Sequence, residues 1–172
     1  MKAIRALVVV LAVAACSDQS PTAVSSPQAP AADPSLIGSL LKPTGLLSCS
    51  PLPYDSVTQT IGPLGGSLRV GSHSLVIPPG ALLQPTAITA VQPTGLRTNV
   101  VRFQPDGLQF QAPAALTMSY ANCSLLGVLL PKRIVHVSSA LQILGYLLSV
   151  DNLLTKRVTG KLNHFSDYAI AW

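Results

Sequence analysis

Two side chains that could do chemistry flank one phenylalanine in this sequence: His164 and Ser166, with Phe165 between them. A serine hydroxyl can act as a nucleophile, and a nearby imidazole can act as the general base that accepts its proton. The same residues also suit the start of a β-strand, because the alternating segment 168–172 follows directly. The sequence therefore leaves two interpretations open, a reactive peptide bond and a structural strand.

Other catalytic constellations lack their residues. A glycosidase needs two carboxylates about 5–10 Å apart, and the sequence after Val57 supplies only Asp106, Asp151 and Asp167. The hydrolase signatures G-x-S-x-G and H-E-x-x-H do not occur, and the glycine-rich segment 62–66 lacks the Lys-Ser/Thr of a phosphate loop. We therefore predict a protein that is not an enzyme and that holds no cofactor.

Two cysteines lie in the region expected to fold, Cys49 and Cys123. An even pair in an exported protein is most simply a disulfide, and the alternative is two buried thiols. A zinc site built from these cysteines and the histidines is the third interpretation; it is disfavoured because the close Cys-x-x-Cys spacing of structural zinc sites is missing. The three histidines are His73, His136 and His164.

The elements that would position these residues are predicted to be short β-strands. Turn signals recur every eight to twelve residues after Val57, and helix-length periodic segments are missing, which is typical of a β-sandwich or barrel. Alternating apolar residues give strands such as 116–120 and 168–172 one apolar face, which requires a second sheet opposite. The predicted strands are 56–61, 67–70, 73–77, 87–91, 100–104, 116–120, 133–137, 140–144, 146–150, 156–162 and 168–172.

The charge of the chain does not indicate nucleic-acid binding. The formal net charge is +5, but Lys2 and Arg5 belong to an expected leader and the other bases are spread along the chain. Adjacent pairs occur only at 132–133 and 156–157, without the aromatic and basic runs of a single-strand groove. We predict no nucleic-acid partner.

The first residues are predicted to be a signal peptide, residues 1–15. Basic residues precede the apolar stretch 6–15, which is about half as long as a transmembrane helix. The sequence Val-Ala-Ala-Cys ending at Cys16 resembles the lipobox of bacterial lipoproteins, which implies cleavage before Cys16 and lipid attachment to it. The membrane is then a partner through this lipid, and Ser17 implies sorting to the outer membrane of the bacterial cell envelope.

Residues 16–52 are predicted to tether the folded domain to the lipid. The segment 17–35 consists mainly of Ser, Pro and Ala, with almost nothing to bury, so it should be a disordered leash. The segment 36–56 forms a border whose apolar residues could lie on the domain. The folded domain is predicted to span residues 53–172.

Three blocks of this domain resemble the ZU-five domain, a β-sandwich named after zonula occludens proteins and netrin receptors. They are a hairpin with Gly65-Gly66 leading to Ile-Pro-Pro-Gly-Ala-Leu at 77–82, a block Phe-x-Pro-x-Gly-Leu-x-Phe at 103–110, and His-Phe-Ser-x-Tyr-Ala at 164–169. The resemblance implies an antiparallel β-sandwich. The segment 122–151 follows no motif of that family.

The resemblance also implies one specific reaction, because some proteins of this family cut themselves within His-Phe-Ser. Here Ser166 would attack the Phe165 carbonyl while His164 assists the proton transfers. The product would be only residues 166–172, and sequence shows none of the strain that such a reaction needs. We therefore expect the bond to stay intact.

We predict an anchored envelope lipoprotein whose sandwich is a noncatalytic protein-interaction or structural module. Its unidentified partner would be an envelope protein or a glycan. The alternatives are a self-cleaving domain and a surface glycan-binding module. Sugar platforms usually consist of Trp and Tyr, and only Tyr54, Tyr146 and Trp172 could be spared from the core.

Overall fold

The computed structural model describes residues 45–124 and 130–172. The predicted signal peptide, Cys16 and most of the predicted tether lie outside these residues. Within the described residues there are eleven β-strands and no helix. In chain order they are β1 (Asp55–Ile61), β2 (Gly66–Val70), β3 (His73–Ile77), β4 (Thr86–Gln92), β5 (Val100–Gln104), β6 (Gln109–Ser119), β7 (Arg133–Val137), β8 (Ile143–Tyr146), β9 (Ser149–Asn152), β10 (Arg157–His164) and β11 (Asp167–Ala171).

The strands form two antiparallel sheets, so the predicted all-β antiparallel sandwich is confirmed. One sheet has six strands in the order β1-β4-β5-β11-β7-β8, and the other has five in the order β2-β3-β6-β10-β9. Alternating apolar residues from both sheets point inward and fill the space between them.

Glycine and proline residues lie in the turns at strand ends. The hairpin predicted at Gly65-Gly66 is instead a tight turn that joins β1 to β2 in the other sheet. Gly65 has φ of 74° in this turn, and a Cβ there would collide with the backbone oxygen of Ile77. Both the left-handed backbone and the close approach therefore require glycine. Strand β3 ends at Ile77, immediately before the two prolines 78 and 79.

Strand β11 lies inside the six-stranded sheet, with β5 on one side and β7 on the other. Tyr168 and Ile170 point into the main core, whereas Ala169 and Ala171 belong to a second apolar cluster on the other face of the sheet. The sequence pattern predicted one apolar face for this strand, and the structure buries both. Small alanine side chains allow the second face to be covered closely.

Residues 46–50, which precede the expected domain start at residue 53, pack on the sandwich. Leu47 is fully buried, and its N–H donates to the Ile170 carbonyl oxygen at 2.8 Å. The predicted disulfide is present between Cys49 and Cys123 and closes a loop with a sequence separation of 74. It fastens the border segment to the end of β6.

Candidate functional site

The corner between β10 and β11 contains the peptide bond singled out by the sequence. His164 ends β10, Asp167 begins β11, and Phe165 and Ser166 form the corner between them. Phe165 is fully buried, stacked on Phe103 and edge-on to Phe110 with both ring centroids 4.9 Å away. This aromatic cluster fixes the corner, because rotating Phe165 outward would expose its ring and leave a cavity.

The carbonyl group of Phe165 has two polar neighbours. The Gly107 N–H donates to its oxygen at 3.0 Å, and Nδ1 of His164 lies 3.1 Å from the same oxygen. Gly107 has φ of 75° in the turn that begins at Pro105, so the turn predicted from Pro-Asp-Gly presents this N–H. When Nδ1 of His164 carries the proton, two donors polarise the carbonyl.

The hydroxyl of Ser166 contacts a histidine that lies on another strand. Nε2 of His136, in β7, is 2.8 Å from Ser166 Oγ. The residue predicted to assist the proton transfers was His164. Its ring packs edge-on to that of His136, with the ring centroids 5.3 Å apart. Only the pairing of β7 with β11, in which His136 lies opposite Tyr168, brings these residues together. No local motif in the sequence signals that contact.

Burial shifts the pKa of two groups at the corner toward their neutral forms. Burial lowers the pKa of His136, the neighbouring His164 lowers it further, and the carboxylates of Asp106 and Asp167 oppose this. Burial also raises the pKa of Asp167, against the opposing effect of the Arg102 guanidinium, whose Nε lies 3.4 Å from it. A neutral His136 at pH 7 could accept a proton from Ser166.

Two shallow grooves meet at His136. One has a volume of about 440 Å³ and is bordered by His164, Tyr146 and Lys161. The other, of about 410 Å³, is bordered by Ser166, Asp106 and Arg102. The two histidines and the serine are therefore reachable from solvent on both sides of the corner.

The zinc interpretation receives no support from the side-chain positions. Within residues 45–124 and 130–172, no three His, Cys, Asp or Glu side chains are grouped as metal ligands would be. His73 is instead fully buried in the sandwich, where its Nδ1 accepts the Ser119 N–H at 3.1 Å. The cysteines are joined to each other.

The aromatic residues considered for glycan binding do not form one platform. Tyr54 precedes β1 and Tyr146 ends β8, and these strands are the two opposite edges of the six-stranded sheet. Five strand spacings separate them, or about 24 Å. The ring of Trp172 is half-buried, with Nζ of Lys132 at 5.7 Å from its centroid. A sugar ring could therefore stack on one of them at a time.

Comparison with known proteins gives no family assignment: no protein-family model matches this sequence, and no curated protein matches it. The resemblance to the ZU-five domain therefore stays a prediction, carried by the three sequence blocks. Among the described residues, none forms a helix long and apolar enough to cross a membrane.

Proposed function

We propose that this protein is a lipoprotein of the bacterial cell envelope, anchored through Cys16, whose ZU-five-like sandwich is a noncatalytic interaction or structural module. The observation that carries the proposal is the cysteine at position 16, placed directly after an apolar stretch that ends in small residues. The disulfide between Cys49 and Cys123 supports it, because such bonds persist in oxidising compartments outside the cytoplasm.

The noncatalytic part of the proposal is supported by how β11 is held. Its residues 168–171 are all buried, and it pairs with both β5 and β7. Cleavage before Ser166 would leave this strand bound in the sheet through its pairing with β5 and β7. The Ser166 hydroxyl and Nε2 of His136 also serve as each other's hydrogen-bond partners, as a purely structural role would require.

The anchoring is tested at Cys16. Globomycin, which inhibits lipoprotein signal peptidase, is expected to make the precursor accumulate, and Cys16→Ser is expected to abolish incorporation of labelled fatty acid. Cys49→Ser serves as the matched cysteine control and should keep the label. A mature wild-type protein without lipid would contradict the proposal, and fractionation of the labelled protein would decide between the inner and the outer membrane.

Self-cleavage is the second candidate function, and the contact of His136 with Ser166 favours it. In this reaction Ser166 Oγ attacks the Phe165 carbonyl carbon and its proton passes to Nε2 of His136. The Gly107 N–H stabilises the charge that develops on the Phe165 oxygen. The Ser166 nitrogen leaves as an amine after taking the proton, which gives an ester, and water then hydrolyses the ester to a carboxylate at Phe165 and a free serine hydroxyl.

We expect the Phe165–Ser166 bond to remain intact. Unstrained amides do not rearrange in this way at useful rates, and neither Phe165 nor Ser166 is among the described residues with positive φ. The non-glycine residues with positive φ are Leu141 and Lys156. Denaturing mass spectrometry of the purified protein should therefore show a chain that retains residues 166–172.

The matched control for this measurement is Ser166→Ala. A wild-type mass that ends at Phe165, together with full-length Ser166→Ala, would select self-cleavage instead. His136→Gln would then separate the two histidines: loss of cleavage in that variant, with cleavage kept in His164→Gln, would assign the base to His136.

A further inference from the structure

Exposed leucines lie at both ends of the sandwich, and at one end basic residues accompany them. We call this basic end the entry end, because residues 46–50 join the sandwich there. It also includes Asp55 and the segments 71–72, 93–98, 119–124, 130–133 and 151–157. In the turn between β9 and β10, Leu154 is 96 % exposed and Leu153 is 48 % exposed, and Leu130 is 43 % exposed before β7. Leu64 and Leu83 at the opposite end are exposed to a similar degree, so these leucines point to a partner only together with the charges around them.

Positive charge is concentrated at the same end. Five of the eight cations in the described residues lie there, namely Arg97, Lys132, Arg133, Lys156 and Arg157. Lys132 is buried and contributes its charge from beneath the surface, whereas Arg97 and Arg133 are exposed.

The carboxylates of the entry end are occupied by hydrogen bonds. Asp55 accepts the N–H groups of Ser56 and Gly71, and Asp151 accepts the Tyr120 hydroxyl and the Lys132 N–H. With five cations against two carboxylates, the end carries a net positive charge. At the other end of the sandwich, the two carboxyl groups of Asp106 and Asp167 outnumber the one guanidinium of Arg102.

The chain that leads to Cys16 is attached at this end. Leu46 bridges to Ala171, Cys49 is bonded to Cys123, and the Cys49 N–H donates to the Arg97 carbonyl oxygen at 2.8 Å. The chain length from residue 16 to residue 45 limits the distance between the two to at most about 100 Å. An anchor on Cys16 would therefore hold the entry end within reach of the bilayer.

We propose that the entry end docks on the bilayer surface, with Leu153 and Leu154 inserted among the headgroups and the surrounding cations placed against anionic lipids. This inference rests on the proposed lipid anchor for its orientation. Exposed leucines beside basic residues are the combination by which peripheral proteins bind anionic interfaces, since apolar burial and electrostatic attraction add. The bilayer fits this surface better than a protein partner does, because the same end holds the connection to the anchor.

The test places a fluorescent reporter at the tip. Leu154→Trp is made in the full chain, purified as the cell processes it, and combined with vesicles of phosphatidylglycerol and phosphatidylcholine that contain brominated or unbrominated acyl chains. The matched control is Leu64→Trp, because Leu64 is 90 % exposed in the turn at the opposite end. Emission of the unsubstituted protein, which contains Trp172, is subtracted from both.

We expect brominated lipid to quench the fluorescence of the tryptophan at position 154 but not that of the tryptophan at position 64. In unbrominated vesicles, the emission maximum of the tryptophan at position 154 should shift to shorter wavelength. Adding Arg133→Gln and Lys156→Asn should reduce this quenching, as should 1 M salt. Asparagine is chosen at 156 because that residue has φ of 51°, which asparagine tolerates. Lys161→Gln, on the middle of β10, should leave the quenching unchanged.

Intact mass of the same samples reports whether Cys16 carries lipid, which separates this inference from the anchor. A lipidated protein that is bound to the vesicles and shows no quenching at 154 would overturn the inference and leave the anchor standing. Quenching at 154 without lipid on Cys16 would support the inference and overturn the anchor. Equal quenching of the tryptophans at positions 154 and 64 would overturn the inference that the entry end docks on the bilayer. A blue shift at 154 without vesicles, in a protein that sediments as a dimer, would assign the surface to a second copy instead.

Discussion

Replacing both Cys49 and Cys123 with alanine is expected to lower the free energy of unfolding by about 4 kcal/mol in the chain-entropy model of disulfide stabilisation. The bond spans a sequence separation of 74, so its removal frees a long loop in the unfolded chain. In the folded protein, removing the disulfide weakens the attachment of residues 46–50 to the sandwich most. Their remaining attachments are the burial of Leu47 and a few backbone hydrogen bonds.

Urea denaturation followed by tryptophan fluorescence measures this change. For a typical slope of roughly 2 kcal/mol per molar urea, the midpoint should fall by about 2 M. Dithiothreitol should produce the same decrease in the wild type and no further decrease in the double variant, which controls for the alanine substitutions. Amide exchange at Leu47 should accelerate more than exchange in β6. A midpoint that moves by less than a few tenths molar would contradict the expected loop effect.

Acidification from about pH 6.5 to pH 4 is expected to cost the domain roughly 3 kcal/mol through His73 alone. Burial, together with the positive charge of Arg157, lowers the pKa of His73 from 6.5 to about 4. Within the described part of the chain its Nε2 has no hydrogen-bond partner, so the fold offers nothing to stabilise a charged ring.

The sign of this effect follows from which state binds the proton. Between the two pKa values the unfolded chain is protonated at His73 and the folded chain is not, so stability is full above about pH 6.5 and falls as the pH decreases. The lowered pKa of His136 acts in the same direction. The raised pKa of Asp167 acts in the opposite direction, because the folded state then binds its proton more readily.

His73→Gln isolates the contribution of this residue. The glutamine oxygen can accept the Ser119 N–H in place of Nδ1, so the variant should fold and should lose most of the pH dependence between pH 6.5 and 4. His136→Gln is the matched control, in which the larger part of the dependence should remain. Urea midpoints at half-unit pH intervals provide the measurement. An unchanged slope in His73→Gln would show that His73 is not the group responsible.

Most strands could be predicted from the sequence because short alternating segments are separated by turn residues. The exceptions have local causes. Strand β6 begins at Gln109, seven residues before its predicted start, and contains Pro113, a residue type that sheets rarely accept. The proline is accommodated because the register of β10 shifts opposite it, between Leu162 and His164. Strand β8 starts at residue 143 instead of 140, since Leu141 adopts a φ of 61° that nothing in its side chain signals.

The candidate site was only partly predictable for a similar reason. His164, Phe165 and Ser166 are adjacent in the chain, so their types alone drew attention to them. The contact of Ser166 with His136 depends on strand pairing across 30 residues, and the Gly107 N–H reaches the Phe165 oxygen from a turn 58 residues earlier. Hydrogen bonds between distant strands leave no periodic pattern in the sequence. The disulfide was predictable because the region expected to fold contains only two cysteines, Cys49 and Cys123.

The position of β11 between β5 and β7 sets the order in which the six-stranded sheet can be completed. During synthesis, and during passage across a membrane on the proposed export route, β5 emerges more than 60 residues before its partner β11. Until residues 167–171 are available, β5 and β7 lack the strand that joins them, so each valine-containing edge would be unpaired and of the kind that promotes aggregation. Closing the sheet is therefore a late event, and a chaperone that shields these edges would act in the interval before it.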